Sequence, residues 1–191
     1  MKPLPTSSSA IFLDRDGVII ENRAGYVRGW EDVEFFPAAI QALAGLAASP
    51  YRIVLVTNQS AVGRGILSLA AAQAINRQLV IELERNGCRI DGVFMCPHGP
   101  EMNCTCRKPR PGLLLQAAEA LSIDLASSIM IGDAWTDLQA GQAAGVDRTA
   151  LLRTGRGKQQ LSLPPPAGLK SWAVYDDLAE ALAHLFAAPD G

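Results

Sequence analysis

Asp14 and Asp16 stand one residue apart in the run Asp14-Arg15-Asp16-Gly17. In an extended chain, residues i and i+2 point the same way, so both carboxylates can face one site. Two carboxylates this close repel each other unless a cation lies between them, and Mg²⁺ binds carboxylate oxygens in this way. One carboxylate can then attack a phosphorus to form an aspartyl-phosphate. The other can protonate the leaving oxygen and later activate water. Gly17 lets the chain turn sharply behind the pair. The plain alternative is two solvated aspartates in a turn.

Three other stretches carry matching chemistry. Thr57-Asn58-Gln59-Ser60 offers a hydroxyl, two amides and backbone N–H groups that suit a phosphate; a turn held by local hydrogen bonds is the alternative. Arg107-Lys108-Pro109-Arg110-Pro111 places three cations within four residues, on a backbone stiffened by proline. Gly132-Asp133 is followed by Asp137 four residues on. Asp133 is placed to be a further metal ligand, and Asp137 to cap a helix or to hold Lys108. Acid pair, hydroxyl, cation and acid are together the parts for metal-assisted phosphoryl transfer.

Cys96, His98, Cys104 and Cys106 supply three thiolates and one imidazole. That set fills a tetrahedral zinc without an open position, which makes the expected metal structural. Its one-residue gaps are tighter than the usual spacing, and a cluster of free thiols is the alternative. The loop runs straight into Arg107-Lys108, so zinc there would hold the cations in place. Cys88 lies outside the set and reads as a buried thiol. His184 reads as a surface or satisfied histidine.

These residues need elements to position them. Short β-branched runs at 10–13, 52–57, 92–95, 129–131, 149–152 and 173–175 alternate with helical patterns. Pro37 opens the first helix, with Ile40, Leu43, Ala44 and Ala47 at helical spacing. Ser68 caps a second helix that runs to Asn86 and stops at Gly87, with Ala72, Ile75, Leu79 and Leu83 as its buried stripe. Further helices span 113–121 and 137–144, and a last one, capped by Asp176 or Asp177, carries Leu178, Leu182 and Leu185. Residues 155–170 read as a polar, proline-rich linker. Such alternation predicts an α/β fold, a doubly wound parallel sheet of Rossmann-like form. In these sheets ligands bind beyond the carboxyl ends of the strands, where each acid and cation above falls.

Hydrophobic residues make up 49% and charged residues 19% of the 191, as in ordinary globular proteins. The net charge of −2 gives no bulk attraction to nucleic acid or to an acidic membrane. Any anionic substrate must be held by local groups. The apolar stretches break before the roughly 18 residues that a membrane-spanning helix needs, and the first ten residues lack the apolar core of a signal peptide. The expectation is a flexible tail at 1–9, one domain over 10–191 with a zinc loop at about 96–111, no large cap domain, and a cytoplasmic monomer acting on a small molecule.

The four stretches resemble the haloacid dehalogenase superfamily of phosphotransferases over about residues 10–155. The resemblance implies that Asp14 is the nucleophile and Asp16 the general acid/base. It also implies that Thr57 and Lys108 bind the transferred phosphoryl, and that Mg²⁺ sits among Asp14, the backbone carbonyl of Asp16, and Asp133. Phe12-Leu13-Asp14-Arg15-Asp16-Gly17, Arg64-Gly65, Cys96-Pro97-His98, Cys104-x-Cys106-Arg107-Lys108-Pro109 and Arg153-Thr154-Gly155 are similar, more closely, to the D-glycero-D-manno-heptose-1,7-bisphosphate 7-phosphatase family. That similarity implies removal of a sugar 7-phosphate on the way to nucleotide-activated heptose, for lipopolysaccharide and other glycans. It also implies substrate contacts from Asn22, Gly25, Tyr26, Thr57, Asn58, Gln59, Ser60, Arg64, Arg107 and Lys108, and zinc in the Cys/His loop. Val18 and Ala61 depart from the family's usual Thr and Gly. Histidinol-phosphate phosphatases share the acid pair and the zinc loop but typically lack Arg64-Gly65 and Arg153-Thr154-Gly155. A non-catalytic sugar-phosphate-binding module would have no need of a nucleophile.

Overall fold

The computed structural model describes residues 8–186. The expected tail lies outside the described residues over 1–7. Ser8 and Ser9 are tied down: Ser8 N donates to Ser122 O, Ser8 O accepts from Asp124 N, and Ser9 O accepts from Arg52 N.

Among the described residues, six strands form one parallel sheet: β1 (Ala10–Leu13), β2 (Arg52–Asn58), β3 (Gly92–Cys96), β4 (Ile129–Gly132), β5 (Arg148–Leu152) and β6 (Ala173–Tyr175). Their order is β3-β2-β1-β4-β5-β6. The chain winds outward from β1 in one direction and from β4 in the other. The crevice between their carboxyl ends is the switch point at which such sheets bind ligands.

Among the described residues, seven α-helices cover the faces: α1 (Pro37–Gly45), α2 (Ser60–Gly63), α3 (Leu69–Arg85), α4 (Gly112–Leu121), α5 (Trp135–Ala144), α6 (Gly157–Leu161) and α7 (Leu178–Phe186). Alternate residues of each central strand enter opposite cores. Ile11, Leu13, Ile53, Leu55, Ile129 and Ile131 pack with α1, α3 and α7. Phe12, Val54, Val56 and Met130 pack with α4 and α5. All four side chains of β1 are fully buried. Burial of each large one contributes roughly 1.5–3 kcal/mol, which holds a short strand in place although two acids repel at its end.

The helix boundaries follow the local signals. Ser68 caps α3 by accepting from Ala71 N, and its buried stripe is Ala72, Ile75, Leu79 and Leu83. Asp177 accepts from Glu180 N at the start of α7. Among the described residues no helix is long and apolar enough to cross a membrane.

Two α-helices lie where the sequence reading placed none. The four-residue α2 follows β2 directly. The stretch expected to be a linker contains α6, because Gln160 fastens it to the start of α5. Its side chain accepts from Trp135 N, and its carbonyl from the Trp135 indole. Leu161 packs with Trp135, Leu138 and Leu151 in a third small core.

Gly157 sits where a Cβ would lie 1.6 Å from the Leu152 carbonyl oxygen. Gly157→Ala must move backbone, and overpacking of this kind costs on the order of 1–3 kcal/mol. The expected outcome is a lower melting temperature with an unchanged sheet signature in circular dichroism.

Candidate active site

The carboxyl end of β1 delivers Asp14, whose N–H is fixed by Ile131 O of β4. After Asp16 the chain doubles back: Gly17 N donates to Ile20 O, with Gly17 at φ +81°. A Cβ at Gly17 would lie 2.2 Å from Asp133 Oδ2. Glycine is therefore required here both by conformation and by space.

Lys108 is 2% exposed. Its Nζ lies 3.0 Å from Asp14 Oδ1 and 2.7 Å from Asp137 Oδ1, and it donates to Val56 O at 2.6 Å. The Asp137 contact is an ion pair whose angle falls outside hydrogen-bond geometry. Burial alone would lower the ammonium's pKa, but the charges of Asp137 and Asp14 outweigh it and raise the value. The other oxygen of Asp137 accepts from Ala134 N at the start of α5. The two roles open for Asp137 in the sequence, helix cap and Lys108 partner, are filled together, one oxygen each.

Asp14, Asp133 and Asp137 each place a carboxylate oxygen within 4.8 Å of the others. Burial drives the Asp14 carboxyl up, Lys108 pulls it down, and Asp137 and Asp16 push it up again, to about 6. Asp133 is fully buried. Burial raises it, Arg156 opposes, and Asp14 adds to the rise. Its Oδ2 accepts from Asn22 Nδ2 and Arg156 N, and its Oδ1 from the Arg156 guanidinium at 2.9 Å. Four carboxylates (Asp14, Asp16, Asp133, Asp137) face three cations (Arg15, Lys108, Arg156). Raised carboxyls clustered within 4.8 Å of one another fit a site for a divalent cation.

The Asp16 carboxylate lies outside that cluster. Arg15 grips it with Nε and NH2 at 3.2 and 3.0 Å, and Gln59 Nε2 donates to it at 2.9 Å. Thr57, almost wholly buried, has Oγ1 3.5 Å from the same carboxylate. Asn58 spends both ends of its amide on the Lys108 main chain: Nδ2 donates to Lys108 O and Oδ1 accepts from Lys108 N. The structure thus gives Asn58 a part in positioning Lys108.

Asp14, Asp16, Asn22, Tyr26, Asn58, Gln59, Ser60, Arg107, Lys108 and Asp137 line one cavity of about 290 Å³. Gly25, Thr57, Arg64 and Asp133 are not among its lining residues. The Arg64 guanidinium stands 6.0 Å from the centre of the Tyr26 ring, and Tyr26 takes a left-handed φ of 66°. Arg23, inside the Asn22–Tyr26 segment that the family resemblance implies for substrate contact, also lines the cavity, as do Thr136 and Arg156, which were not singled out by the sequence. For Arg156 the available signal was a cation directly after Arg153-Thr154-Gly155. Thr154 Oγ1 donates to Gly17 O at 2.6 Å, and a Cβ on Gly155 would meet Asp133 and Gly17. That tripeptide therefore closes the ring around Asp133.

The Cys/His loop forms a second centre. Its sulfurs are 3.3–3.6 Å apart, and His98 Nδ1 is 3.3 and 3.6 Å from Cys106 and Cys96. A tetrahedral zinc with ~2.3 Å bonds to sulfur and ~2.0 Å to nitrogen gives edges of ~3.5–3.8 Å, so the donor set fits such a metal. All four cysteines are free. Burial raises Cys96 to about 12 and Cys106 upward. Burial also opposes ionisation of Cys104, but hydrogen bonds from Cys106 and from Arg107 N bring it down to about 7. Arg107 donates to His98 O, and Arg110 to Cys104 O. A Cβ at Gly63 would lie 2.3 Å from Gly99 N, and one at Gly112 2.5 Å from Thr105 O, so α2 and α4 clamp the loop backbone to backbone. As expected from sequence, Cys88 is buried, and His184 is stacked on Tyr175 rather than placed at the site.

The HAD-hydrolase-like family model matches residues 105–181. Over 154 residues, the chain is 41% identical to a D-glycero-beta-D-manno-heptose-1,7-bisphosphate 7-phosphatase of Vibrio cholerae, covering 77% of this chain and 82% of the relative. It is 35% identical to the Pseudomonas aeruginosa protein of the same name, over 94% of this chain and 98% of that one. Among solved structures, a D,D-heptose 1,7-bisphosphate phosphatase of Bordetella bronchiseptica, complexed with magnesium and phosphate, superposes with a TM-score of 0.85 at 36% identity, covering 93% and 97% of the two chains.

The raised Asp14 carboxyl has a consequence for stability. The folded protein holds this proton more tightly than the unfolded chain, so between pH 3.8 and about 6 stability rises as pH falls. Above about pH 6 the full penalty of the buried anion is present. In metal-free protein at pH 8, Asp14→Asn should therefore raise the melting temperature, on the order of a few degrees. The gain should shrink as pH falls through about 6 and on adding Mg²⁺, which stabilises the wild-type site by binding only the folded state. Differential scanning fluorimetry across pH, with and without Mg²⁺, measures this.

Proposed function

Because the chain belongs to the D-glycero-beta-D-manno-heptose-1,7-bisphosphate 7-phosphatase family, we propose that it is a magnesium-dependent phosphatase that removes the 7-phosphate of that sugar bisphosphate. It acts on the β anomer, for which the relatives are named. The observation that carries the reading is the Asp14 carboxylate at the carboxyl end of β1, within 4.8 Å of the Asp133 and Asp137 carboxylates and 3.0 Å from the Lys108 ammonium.

Asp14 attacks phosphorus, and the bond from phosphorus to the sugar oxygen breaks as Asp16 gives that oxygen a proton. Water then attacks the aspartyl-phosphate, its proton passes to Asp16, and Asp14 is regenerated. Lys108 and Thr57 hold the transferred phosphoryl, and Lys108 neutralises charge that grows on its oxygens. Asp14, the Asp16 carbonyl and Asp133 would hold Mg²⁺, which when bound supplies further neutralisation of that charge and orients the phosphoryl. Asn22, Tyr26, Gln59, Ser60 and Arg107, with Gly25 and Arg64 at the rim, meet the sugar and its remaining phosphate. A small polar substrate of this kind accords with a cytoplasmic place of action.

Cys96, His98, Cys104 and Cys106 would hold a structural zinc that fixes Arg107 and Lys108. Zinc removal, verified by metal analysis, should lower the melting temperature and raise KM for the substrate. An unchanged melting curve and unchanged kinetics after verified loss would contradict the role.

The deciding assay is phosphate release over the α and β heptose bisphosphates, other sugar bisphosphates and histidinol phosphate, with and without Mg²⁺. The β-heptose bisphosphate should give the highest kcat/KM, and only with Mg²⁺. Asp14→Asn should abolish release while the protein stays folded. Preference for histidinol phosphate, or activity in that variant, would sink the reading.

A further inference from the structure

Asn76, on the buried side of α3, belongs to none of the sequence motifs, yet it reaches the site through one intermediary. Its Oδ1 accepts from Arg15 NH1 at 2.8 Å, and Arg15 in turn grips both oxygens of Asp16. Arg15 is 2% exposed and Asn76 7% exposed. A guanidinium has five N–H donors in a rigid plane. With two of its nitrogens on one carboxylate and the third on Asn76, that plane cannot rotate without leaving a buried donor unpaired, which costs roughly 1–3 kcal/mol. The Asn76 amide is itself fixed, since Nδ2 donates to Met95 Sδ of β3 at 3.4 Å.

We propose that Asn76 and Arg15 are positioning residues for Asp16, and that they matter most in the second half of the reaction. The inference rests on the role given to Asp16 in the proposed function. In the first half, the bond from phosphorus to the sugar oxygen breaks while the Asp14–phosphorus bond forms. There the bound leaving group itself lies against Asp16 and helps to align the proton. In the second half, water is the only partner. Its oxygen bonds to phosphorus, one proton passes to Asp16, and the phosphorus–Asp14 bond breaks to return the carboxylate and inorganic phosphate. Alignment then depends on the Arg15 fork and on Gln59, the remaining side chain with a short hydrogen bond to that carboxylate. Loosening the fork slows this step more than the first.

A substrate whose leaving group departs without a proton separates the halves. With Mg²⁺ and p-nitrophenyl phosphate, full-length Asn76→Leu keeps the side-chain volume and removes the acceptor. It should release about one equivalent of p-nitrophenol per site in a burst. The steady rate that follows should be at least tenfold below wild type, within the range that general acid–base groups supply. KM should fall by about the same factor, leaving kcat/KM within about twofold of wild type because that ratio reports only the first half, and phosphorylated protein should accumulate. Asn76→Asp keeps the acceptor and should restore the rate to within about threefold of wild type. Arg15→Lys keeps the charge but not the fork, and it should show the same burst if Asn76→Leu fails to fold.

A steady rate in Asn76→Leu within twofold of wild type would overturn the inference. So would a loss of burst and steady rate together in a protein with native melting. The Asp14→Asn variant run alongside keeps the two readings apart. If it is folded and inactive, the nucleophile assignment stands and the Asn76 result alone decides. If it turns substrate over, the assignment falls and the inference falls with it.

Discussion

Lys108 carries its charge to a position where an unpaired ammonium would cost several kcal/mol. It is held there by two buried carboxylates and a main-chain carbonyl. The carboxylates are equally dependent on it, because burial and mutual repulsion drive the Asp14 carboxyl up to about 6 even with the ammonium beside it. Removal of the ammonium would leave both carboxylates uncompensated, whereas removal of the Asp14 charge leaves Lys108 paired with Asp137. The contact joins three places in the chain: the end of β1, the loop after β3 and the first turn of α5. Much of the surrounding structure serves to bring those three together.

The loop after β3 needs the most help, since it has no regular structure long enough to place a lysine. Asn58 brackets the Lys108 main chain from the end of β2. Arg107 and Arg110 reach back to carbonyls of the Cys/His segment. Gly63 and Gly112 let two helices press against the loop backbone, closer than any side chain would permit. The four clustered donors between those helices fit a tetrahedral metal, and a metal would convert a cluster of mostly protonated thiols into a rigid tie. The loop that presents the cation is thus fastened by hydrogen bonds, close packing and a metal-ligand set.

Asp133 is organised in the opposite way. Its oxygens accept from Asn22 and Arg156, which approach from the loop after β1 and from the loop after β5. Gly17 and Gly155 pack against it because neither carries a Cβ. Asp16 has a third kind of support, from Arg15, Gln59 and, through Arg15, Asn76. Each carboxylate therefore sits in a different field. Asp14 faces an ammonium, Asp133 a half-exposed guanidinium and two N–H donors, and Asp16 a buried guanidinium fork. Carboxylates in such different surroundings are suited to separate tasks.

The alternation of β-branched runs with helical stripes was enough to give the strands to within one residue at each end, because a strand buried on both faces must be apolar nearly throughout. The spacing of Asp14 and Asp16, the cations at 107–110, the pair Asp133 and Asp137, and the Cys/His set were legible for a similar reason: each is a local pattern whose chemistry needs those residue types close together in sequence. What the sequence left open were choices between nearby partners. Asp137 had two possible roles, and only the packing of α5 against the Lys108 loop showed that each oxygen fills one. Gln160 fastens α6 to Trp135, and Asn76 reaches Arg15 across 61 residues of chain. Arg156 meets Asp133 only because two loops cross above the sheet. No periodicity or motif encodes such contacts, since they depend on where the sheet order places the ends of β1, β4 and β5. The sequence by itself determined which groups are present and at which strand ends. The tertiary structure decided which group faces which, because the field at each carboxylate is set by neighbours that are distant along the chain.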